Sequence, residues 1–257
     1  MTNTYKVVFS YKGSSFSGFQ RQPGNQRTVE GEFLKALRRL LKQNISIVAS
    51  GRTDAGVHAE GQVVSFSCDC SIPLNSMHKA LNSMLPEDIR VRSVDKVEAN
   101  FHARYSAKTR EYRYLFTDSK EMLFLEDFVT RVNFIPKVEL FPLFAPHIVG
   151  TRDFDLFKCK GSTEFSTIKH IYLFELFEYN YPCVYNTAIE HRLYCLRIVG
   201  NSFLYKMVRN LTGAIFEVLR GKREICEFSE LMQPNPRPYR FTTVPPTGLS
   251  LYKVNYE

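Results

Sequence analysis

The chain has no tryptophan, and its six cysteines do not form the pattern of a disulfide framework. Only Cys68 and Cys70 are close together, and no Cys-x-x-Cys pair or Cys/His cluster has the spacing of a zinc site. We therefore expect reduced thiols and no metal. Cys68, Asp69 and Cys70 could in principle hold a metal ion, but the end of a strand is the preferred interpretation.

Long apolar runs are also absent. The N-terminal stretch MTNTYKVVFSYKG has no apolar core of a signal peptide, and the most apolar segment, IYLFELFEYNY, is interrupted by Glu175 and Glu178. We expect neither a secreted nor a membrane-spanning protein, which together with the reduced thiols predicts the cytoplasm. There is no P-loop, and Gly13 and Gly18 do not make a dinucleotide-binding fingerprint.

Positive charge is in excess. The 257 residues carry a formal net charge of +8 and are 44% hydrophobic. The chain is long enough for one large domain or two small ones with a substantial core. The charge favours a polyanionic partner, but a basic protein with a solvated surface accounts for it equally well.

Hydrophobic periodicity predicts two similar halves. In the first half we predict strands over 5–11, 45–50, 61–68 and 88–97, a helix starting at an N-cap on Thr28, and a helix from Pro73 to Leu85. In the second half we predict strands over 110–118, 168–178, 192–199 and 248–256, and helices over 138–147, 201–221 and 226–232.

Each half thus has the order β-α-β-β-α-β, with a further short helix in the second half, which is typical of a ferredoxin-like fold. The predicted class is α+β. The predicted domains are residues 1–100 and residues 101–257, joined near 98–107 without a flexible linker. We expect the two sheets to lie side by side, with a ligand cleft between the halves.

The stretch SGRTDAGVHAEGQ, residues 50–62, places Arg52, Asp54 and His58 between glycines. Thr53 to Gly56 has good turn chemistry, so a turn whose aspartate bonds its own backbone is one interpretation. The loop is longer than a tight hairpin needs, however, and an arginine close to a carboxylate keeps it ionised. An ionised carboxylate can act as nucleophile or base. Glu60, the one other carboxylate nearby, reads as a solvated residue at a strand start.

Two further stretches combine basic and aromatic residues. FHARYSAKTREYRY, residues 101–114, would place Arg110, Tyr112 and Tyr114 on one face of a strand, where tyrosines could stack on bases and arginines hold phosphates. A core face opposite a solvated basic face is an equal alternative. FLYKMVRN, residues 203–210, places Tyr205 and Arg209 four residues apart near a helix start. The preferred interpretation is a helix with its apolar residues mostly in the core and Arg209 at the edge.

Taken together, these stretches resemble the TruA family of tRNA pseudouridine synthases over essentially the whole chain. The resemblance is carried, in order, by YKGSSFSGFQRQ, TVEGEFLKAL, GRTDAGVHAEGQVVSF, LNSMLPEDIRV, FHARYSAKTREYRY, GTRDFDLF, FLYKMVRNLTG and PPTGLSLYKV. It implies isomerisation of uridine to pseudouridine at positions 38 to 40 of the tRNA anticodon stem-loop. It also implies two ferredoxin-like halves in one extended mixed or antiparallel sheet with a central RNA-binding cleft, a homodimer, and no cofactor or metal.

The resemblance also implies roles for single residues. Asp54 matches the catalytic aspartate, as nucleophile or as base. Arg52 matches the residue that fills the space left by the flipped uridine. Substrate contacts are implied for Tyr112, which packs on the flipped base, for Arg209, which pairs with the aspartate, and for the pocket-lining Leu249. We further expect RNA contacts from Arg21, His58 and Arg110.

The chain departs from the family pattern at three places. Phe19 stands where the family commonly has tryptophan, Lys12 replaces an acidic residue, and STIKHIY, residues 166–172, replaces an Arg-Thr-Ile-type string. Two other functions stay open. A non-catalytic RNA-binding module predicts salt-sensitive tRNA binding without isomerisation. If the protein is instead another aspartate-dependent enzyme that cleaves a glycosidic bond, we expect release of free uracil. The lack of a second catalytic carboxylate argues against this hypothesis.

Overall fold

The computed structural model describes residues 2–69, 71–120, 125–159, 166–182, 190–233 and 241–257. Their secondary structure begins with β1 (Asn3–Tyr11), α1 (Val29–Leu41), β2 (Val48–Ala49), β3 (His58–Cys68), α2 (Leu74–Met84), β4 (Ile89–Val97), β5 (Thr109–Thr117) and β6 (Thr130–Arg131). It continues with α3 (Phe141–Ile148), β7 (Gly150–Asp153), β8 (Ile168–Pro182), β9 (Glu190–Gly200), α4 (Met207–Leu219), α5 (Ile225–Leu231) and β10 (Leu249–Asn255). The predicted α+β class is confirmed.

By backbone packing the chain divides into two compact units. Unit 1 comprises Met1–Arg110 and Ser250–Glu257, and unit 2 comprises Glu111–Leu249. The last eight residues therefore belong to the same unit as the first part of the chain. The division into two ferredoxin-like domains, residues 1–100 and 101–257, stays a prediction.

Unit 1 has the strand arrangement expected of a ferredoxin-like fold. β1 lies between β3 and β4 and is antiparallel to both, and the short β2 pairs with β3. Alternating side chains of β1 enter the core, and Val7 and Phe9 are fully buried. β10 pairs in parallel with the start of β3, where Ser250 lies opposite His58. This last pairing brings the C-terminal strand beside the Asp54 loop.

Helix α1 forms where the sequence places it. The hydroxyl of Thr28 accepts a hydrogen bond from the Gly31 backbone N–H at 3.2 Å, which satisfies a donor that the first turn leaves open. Its apolar face is buried, with Phe33 and Leu37 inaccessible to solvent. The Phe33 ring stacks on Phe9 of β1 with a centroid distance of 4.7 Å. This contact fixes α1 against the sheet.

Unit 2 is built on β5, β9, β8 and β7 in that order, with β6 beside β5. β8 and β9 form a long antiparallel pair from Ile171↔Gly200 to Pro182↔Glu190. Helix α4 supplies much of the core, since Leu211, Ala214 and Ile215 are fully buried. Gly213 within α4 has no room for a side chain, because a Cβ there would lie 2.1 Å from the Thr242 carbonyl oxygen.

Two predicted elements are shorter in the structure, and two short strands were not predicted. The strand predicted over 45–50 is limited to β2, although the Ser50 N–H still bonds the Val63 carbonyl at 2.8 Å. The helix predicted from residue 201 begins at Met207, because Lys206 adopts a left-handed conformation with φ 60°. Tyr205 therefore precedes the helix instead of sharing its face with Arg209. β6 and β7 were not predicted.

Among the described residues, no helix combines the length and the apolar composition that crossing a membrane requires.

Candidate active site

Asp54 begins a tight turn between β2 and β3. The Val57 backbone N–H donates to the Asp54 carbonyl oxygen at 3.1 Å, and Gly56, at the third position, has φ +80°. A turn with positive φ at that position strongly prefers glycine. Asp54 is half-buried and Arg52 is exposed. The turn thus starts one residue later than the sequence indicates, and the candidate carboxylate lies at its first position.

A buried glutamine holds the start of this loop. Gln62 of β3 is fully buried, and its Oε1 accepts from the Ser50 hydroxyl at 2.8 Å. Its Nε2 donates to the Gly51 carbonyl at 3.0 Å and to the Tyr11 hydroxyl at 3.4 Å. The Tyr11 hydroxyl in turn lies 2.7 Å from Oγ1 of Thr53. Three of the four residues preceding Asp54 are therefore tied to one buried polar network, which makes the position of the loop rigid.

Arg110 adds a second anchor to the same segment. Its Nε and Nη2 donate to the Ser50 carbonyl oxygen at 3.1 and 2.9 Å, and Nη2 also donates to the Arg104 carbonyl oxygen at 2.7 Å. The residue is only 8% exposed. Such contacts favour a structural role for Arg110 inside unit 1. Direct contact of Arg110 with RNA stays a prediction.

The chain after β1 closes over the other side of the loop. The Gly13 backbone N–H donates to Nδ1 of His58 at 3.1 Å, and the Phe19 N–H donates to the Thr53 carbonyl at 3.1 Å. His58 is 4% exposed and Phe19 is 2% exposed. His58 therefore supports the loop from within the core, and Phe19 is a packing residue, whereas Arg21 and Lys12 are more accessible.

Gly13 offers a sharp test of this packing. A Cβ at this position would lie 2.0 Å from the Val57 carbonyl oxygen and 2.9 Å from the His58 nitrogen. We expect Gly13→Ala to lower the free energy of unfolding by about 1–3 kcal/mol, because the backbone after the Asp54 turn must move. Urea unfolding measures this, with Ser14→Ala, an exposed neighbour, as the matched control. Wild-type stability in Gly13→Ala would contradict the packing described here.

The remaining site residues predicted from the sequence lie in unit 2. Tyr112 is 8% exposed, and its ring makes a T-shaped contact with that of Phe203 at a centroid distance of 5.0 Å. Nε of Arg209 donates to the Val244 carbonyl at 2.9 Å. Leu249 is 5% exposed, and its N–H bonds the Pro246 carbonyl at 2.9 Å. The segment 244–249 therefore connects Arg209 with Leu249.

Tyr114 is a structural residue. It is fully buried, and its hydroxyl bonds Oγ1 of Thr130 at 2.8 Å and the Pro245 carbonyl at 3.0 Å. Burial raises the pKa of its phenol, so the hydroxyl stays protonated and can donate at any physiological pH. Base stacking by Tyr114, one of the two alternatives that the sequence left open, is excluded by this burial.

The opposite face of β5 is not simply a basic surface. Glu111 is 5% exposed and accepts hydrogen bonds from Nε of Arg113 and Nε of Arg197, both at 2.9 Å. The hydrogen bond to Glu111 is the main cause that raises the pKa of the Arg197 guanidinium. Glu60, the other carboxylate considered above, is half-exposed and forms an ion pair with Arg92.

The sequence missed the roles of Tyr11 and Gln62. The glutamine near the start of the strand GQVVSF was the available signal, since a polar side chain on a buried strand needs partners. Among the described residues, no three His, Cys, Asp or Glu side chains form a group that could hold a metal ion. Cys70, considered above with Cys68, lies outside the described residues.

Comparison with known proteins identifies the family. A family model described as tRNA pseudouridine synthase matches residues 7–106 and 144–257. A protein of Bacillus pumilus named tRNA pseudouridine synthase A is 38% identical over 256 residues, covering 98% of each chain. Proteins of the same name from Geobacillus kaustophilus and Thermosipho melanesiensis are 37% identical (100% of this chain and 96% of the relative) and 36% identical (97% and 98%). The chain therefore belongs to the tRNA pseudouridine synthases, a family of isomerases that act on tRNA.

Proposed function

We propose that this protein converts uridine to pseudouridine in the anticodon stem-loop of tRNA, at positions 38 to 40, with Asp54 as its catalytic carboxylate. The observation that carries the assignment of Asp54 is the anchoring of its loop. A carboxylate at the first position of a turn, held through Ser50, Gly51 and Thr53 by buried partners, is preorganised for chemistry. Membership of the family supplies the reaction class.

The reaction determines what this carboxylate must do. The bond between uracil N1 and ribose C1′ breaks, and a bond between C5 and C1′ forms. The proton on C5 is lost and N1 gains one, so substrate and product have the same composition. An ionised carboxylate either attacks C1′ as a nucleophile or removes a proton from the sugar as a base.

Substrate contacts are the second part of the proposal. We assign Arg52 to the space that the flipped uridine leaves, because its side chain is exposed two residues before Asp54. We assign Tyr112, Arg209 and Leu249 to substrate binding. Support comes from the contacts that fix each of them: Tyr112 packs against Phe203, Arg209 donates to the Val244 carbonyl, and the Leu249 N–H donates to the Pro246 carbonyl.

A homodimer, cytoplasmic location and contact of RNA with Arg21 complete the proposal. Arg21 is exposed, and its backbone N–H bonds Glu30 at 2.7 Å, which fixes the loop that carries it. Arg110 and His58, the other residues expected to bind RNA, are 8% and 4% exposed. For these two residues, support of the Asp54 loop is the role that their hydrogen bonds favour.

The test uses unmodified tRNA transcripts with tritium at uridine C5, each carrying a single uridine among positions 38, 39 and 40. We expect release of tritium into water together with pseudouridine at the labelled position. Tight binding without release would indicate a non-catalytic RNA-binding protein. Liberated uracil would indicate an enzyme that cleaves the glycosidic bond without rejoining it. Release from uridines elsewhere only would contradict the assigned positions.

A further inference from the structure

An exposed aromatic ring stands on a rigid turn just before β5. Tyr105 is 76% exposed, the highest exposure among the large hydrophobic side chains that the structure describes. The His102 ring stacks on it with a centroid distance of 4.3 Å and an interplanar angle of 23°. The Arg104 guanidinium lies 5.7 Å from the Tyr105 ring centroid. Residues 102–106, here called the Tyr105 turn, therefore present two stacked rings and a cation.

Backbone and side-chain hydrogen bonds hold the Tyr105 turn in one conformation. The Ser106 N–H donates to the His102 carbonyl at 2.9 Å, and the His102 N–H donates to Oγ of Ser106 at 3.1 Å. The Tyr105 N–H donates to Nδ1 of His102 at 3.2 Å. The exposure of Tyr105 is thus a feature of an ordered turn, and binding a ligand there requires little ordering of the backbone.

The centre of the turn is anchored in the core of unit 1. Ala103 is fully buried, and its N–H donates to Oγ of Ser65 at 3.1 Å. Its carbonyl accepts from the Tyr256 hydroxyl at 2.8 Å. Burial raises the pKa of the Tyr256 phenol, so this donor keeps its proton. The exposed ring therefore projects from a fixed base.

The Tyr105 turn lies beside the root of the Asp54 loop. Nη2 of Arg110 donates to both the Arg104 carbonyl, at 2.7 Å, and the Ser50 carbonyl, at 2.9 Å. Two carbonyls that share one donor are neighbours, and Ser50 precedes Asp54 by four residues. The backbone of the Tyr105 turn therefore lies next to the segment that leads to Asp54.

The stacked rings of His102 and Tyr105, beside the Arg104 guanidinium, form a combination that can bind a nucleotide. Bases stack on aromatic faces in a sequence-tolerant manner, and arginine binds phosphate. We propose that the Tyr105 turn binds a nucleotide flanking the reacting uridine, with Tyr105 stacking on its base and Arg104 contacting its phosphate. This inference rests on the proposed function, because it takes tRNA as the substrate.

The test compares Tyr105→Ala and Tyr105→Phe with the wild-type protein in binding unmodified tRNA transcripts. We expect Tyr105→Ala to raise Kd about tenfold, since base–aromatic stacking has that magnitude, and Tyr105→Phe to keep wild-type affinity. Arg104→Ala should reduce the slope of log Kd against log salt concentration by about one, the amount expected for the loss of one phosphate contact.

Tyr172 provides a matched control. It is 51% exposed and its ring lies beside that of a histidine, His170, with a centroid distance of 4.6 Å, but it lies on β8, which β9 separates from β5 and Tyr112. Tyr172→Ala should bind tRNA like the wild-type protein. Wild-type Kd in Tyr105→Ala, or an equal rise in Tyr172→Ala, would overturn the inference. The comparison of Kd values tests the inference even if the wild-type protein releases no tritium. Absence of tritium release would refute only the proposed function.

Discussion

Asp54→Asn should bind tRNA as the wild-type protein does and should lose isomerisation by about 10³-fold or more, because an amide is neither a nucleophile nor a base at this position. Size and shape are kept, so the turn hydrogen bond between the Asp54 carbonyl and the Val57 N–H should persist. Tritium release from C5-labelled tRNA measures the rate, and filter binding measures the affinity. Unfolding in urea should give the wild-type midpoint.

Glu60→Gln is the matched control for this substitution. Glu60 is six residues away, half-exposed and paired with the exposed Arg92, so its loss should change the rate by about twofold at most. A large loss of activity in both variants would support a mechanism with two carboxylates. Loss of folding in Asp54→Asn would show that the aspartate is a structural turn residue, the alternative that its sequence context leaves open.

Arg110→Lys should unfold more easily although it keeps the charge. A lysine nitrogen cannot reproduce the planar fork that spans the Ser50 and Arg104 carbonyls, so one buried acceptor loses its partner. We expect the free energy of unfolding to fall by about 1–3 kcal/mol. The rate at saturating tRNA should fall about 10–100-fold as the Asp54 loop shifts, whereas KM should change little.

Arg21→Lys separates this structural role from a contact with phosphate. Arg21 is exposed, and lysine should preserve its charge, the stability of the protein and the rate at saturating tRNA. If Arg110 instead bound RNA, its lysine variant would keep wild-type stability and the wild-type rate at saturating tRNA, and only KM would change. That pattern would refute the positioning role assigned to Arg110.

Local pattern was sufficient for most elements. Strand β1 alternates, and the Thr28 cap and the apolar stripe of α1 need only residues within a few positions of each other. Such features depend on residues that are close in sequence, so they can be recognised without knowledge of the tertiary structure. The start of α4 was misplaced because the left-handed Lys206 has no signature in the apolar pattern that runs through it.

The candidate site could be predicted only in part from local sequence pattern. Asp54 was identified because it lies in a polar stretch flanked by glycines and because that stretch resembles the family. The partners that hold its loop, Gln62, Tyr11 and Arg110, come from positions far apart in the chain. Alternation on β5 put Arg110, Tyr112 and Tyr114 on one face but could not say whether that face meets solvent, and all three are buried.

Local periodicity and ordered motifs were enough to predict the α+β class, the family and the candidate carboxylate Asp54. Which polar side chains are buried became visible only in the folded chain. Tertiary packing made Arg110 an internal anchor and left Tyr105, seven residues before the buried Tyr112, as the exposed ring. Burial depends on what packs against an element, and that is set by residues distant in the chain, such as Ser50, Ser65 and Tyr256.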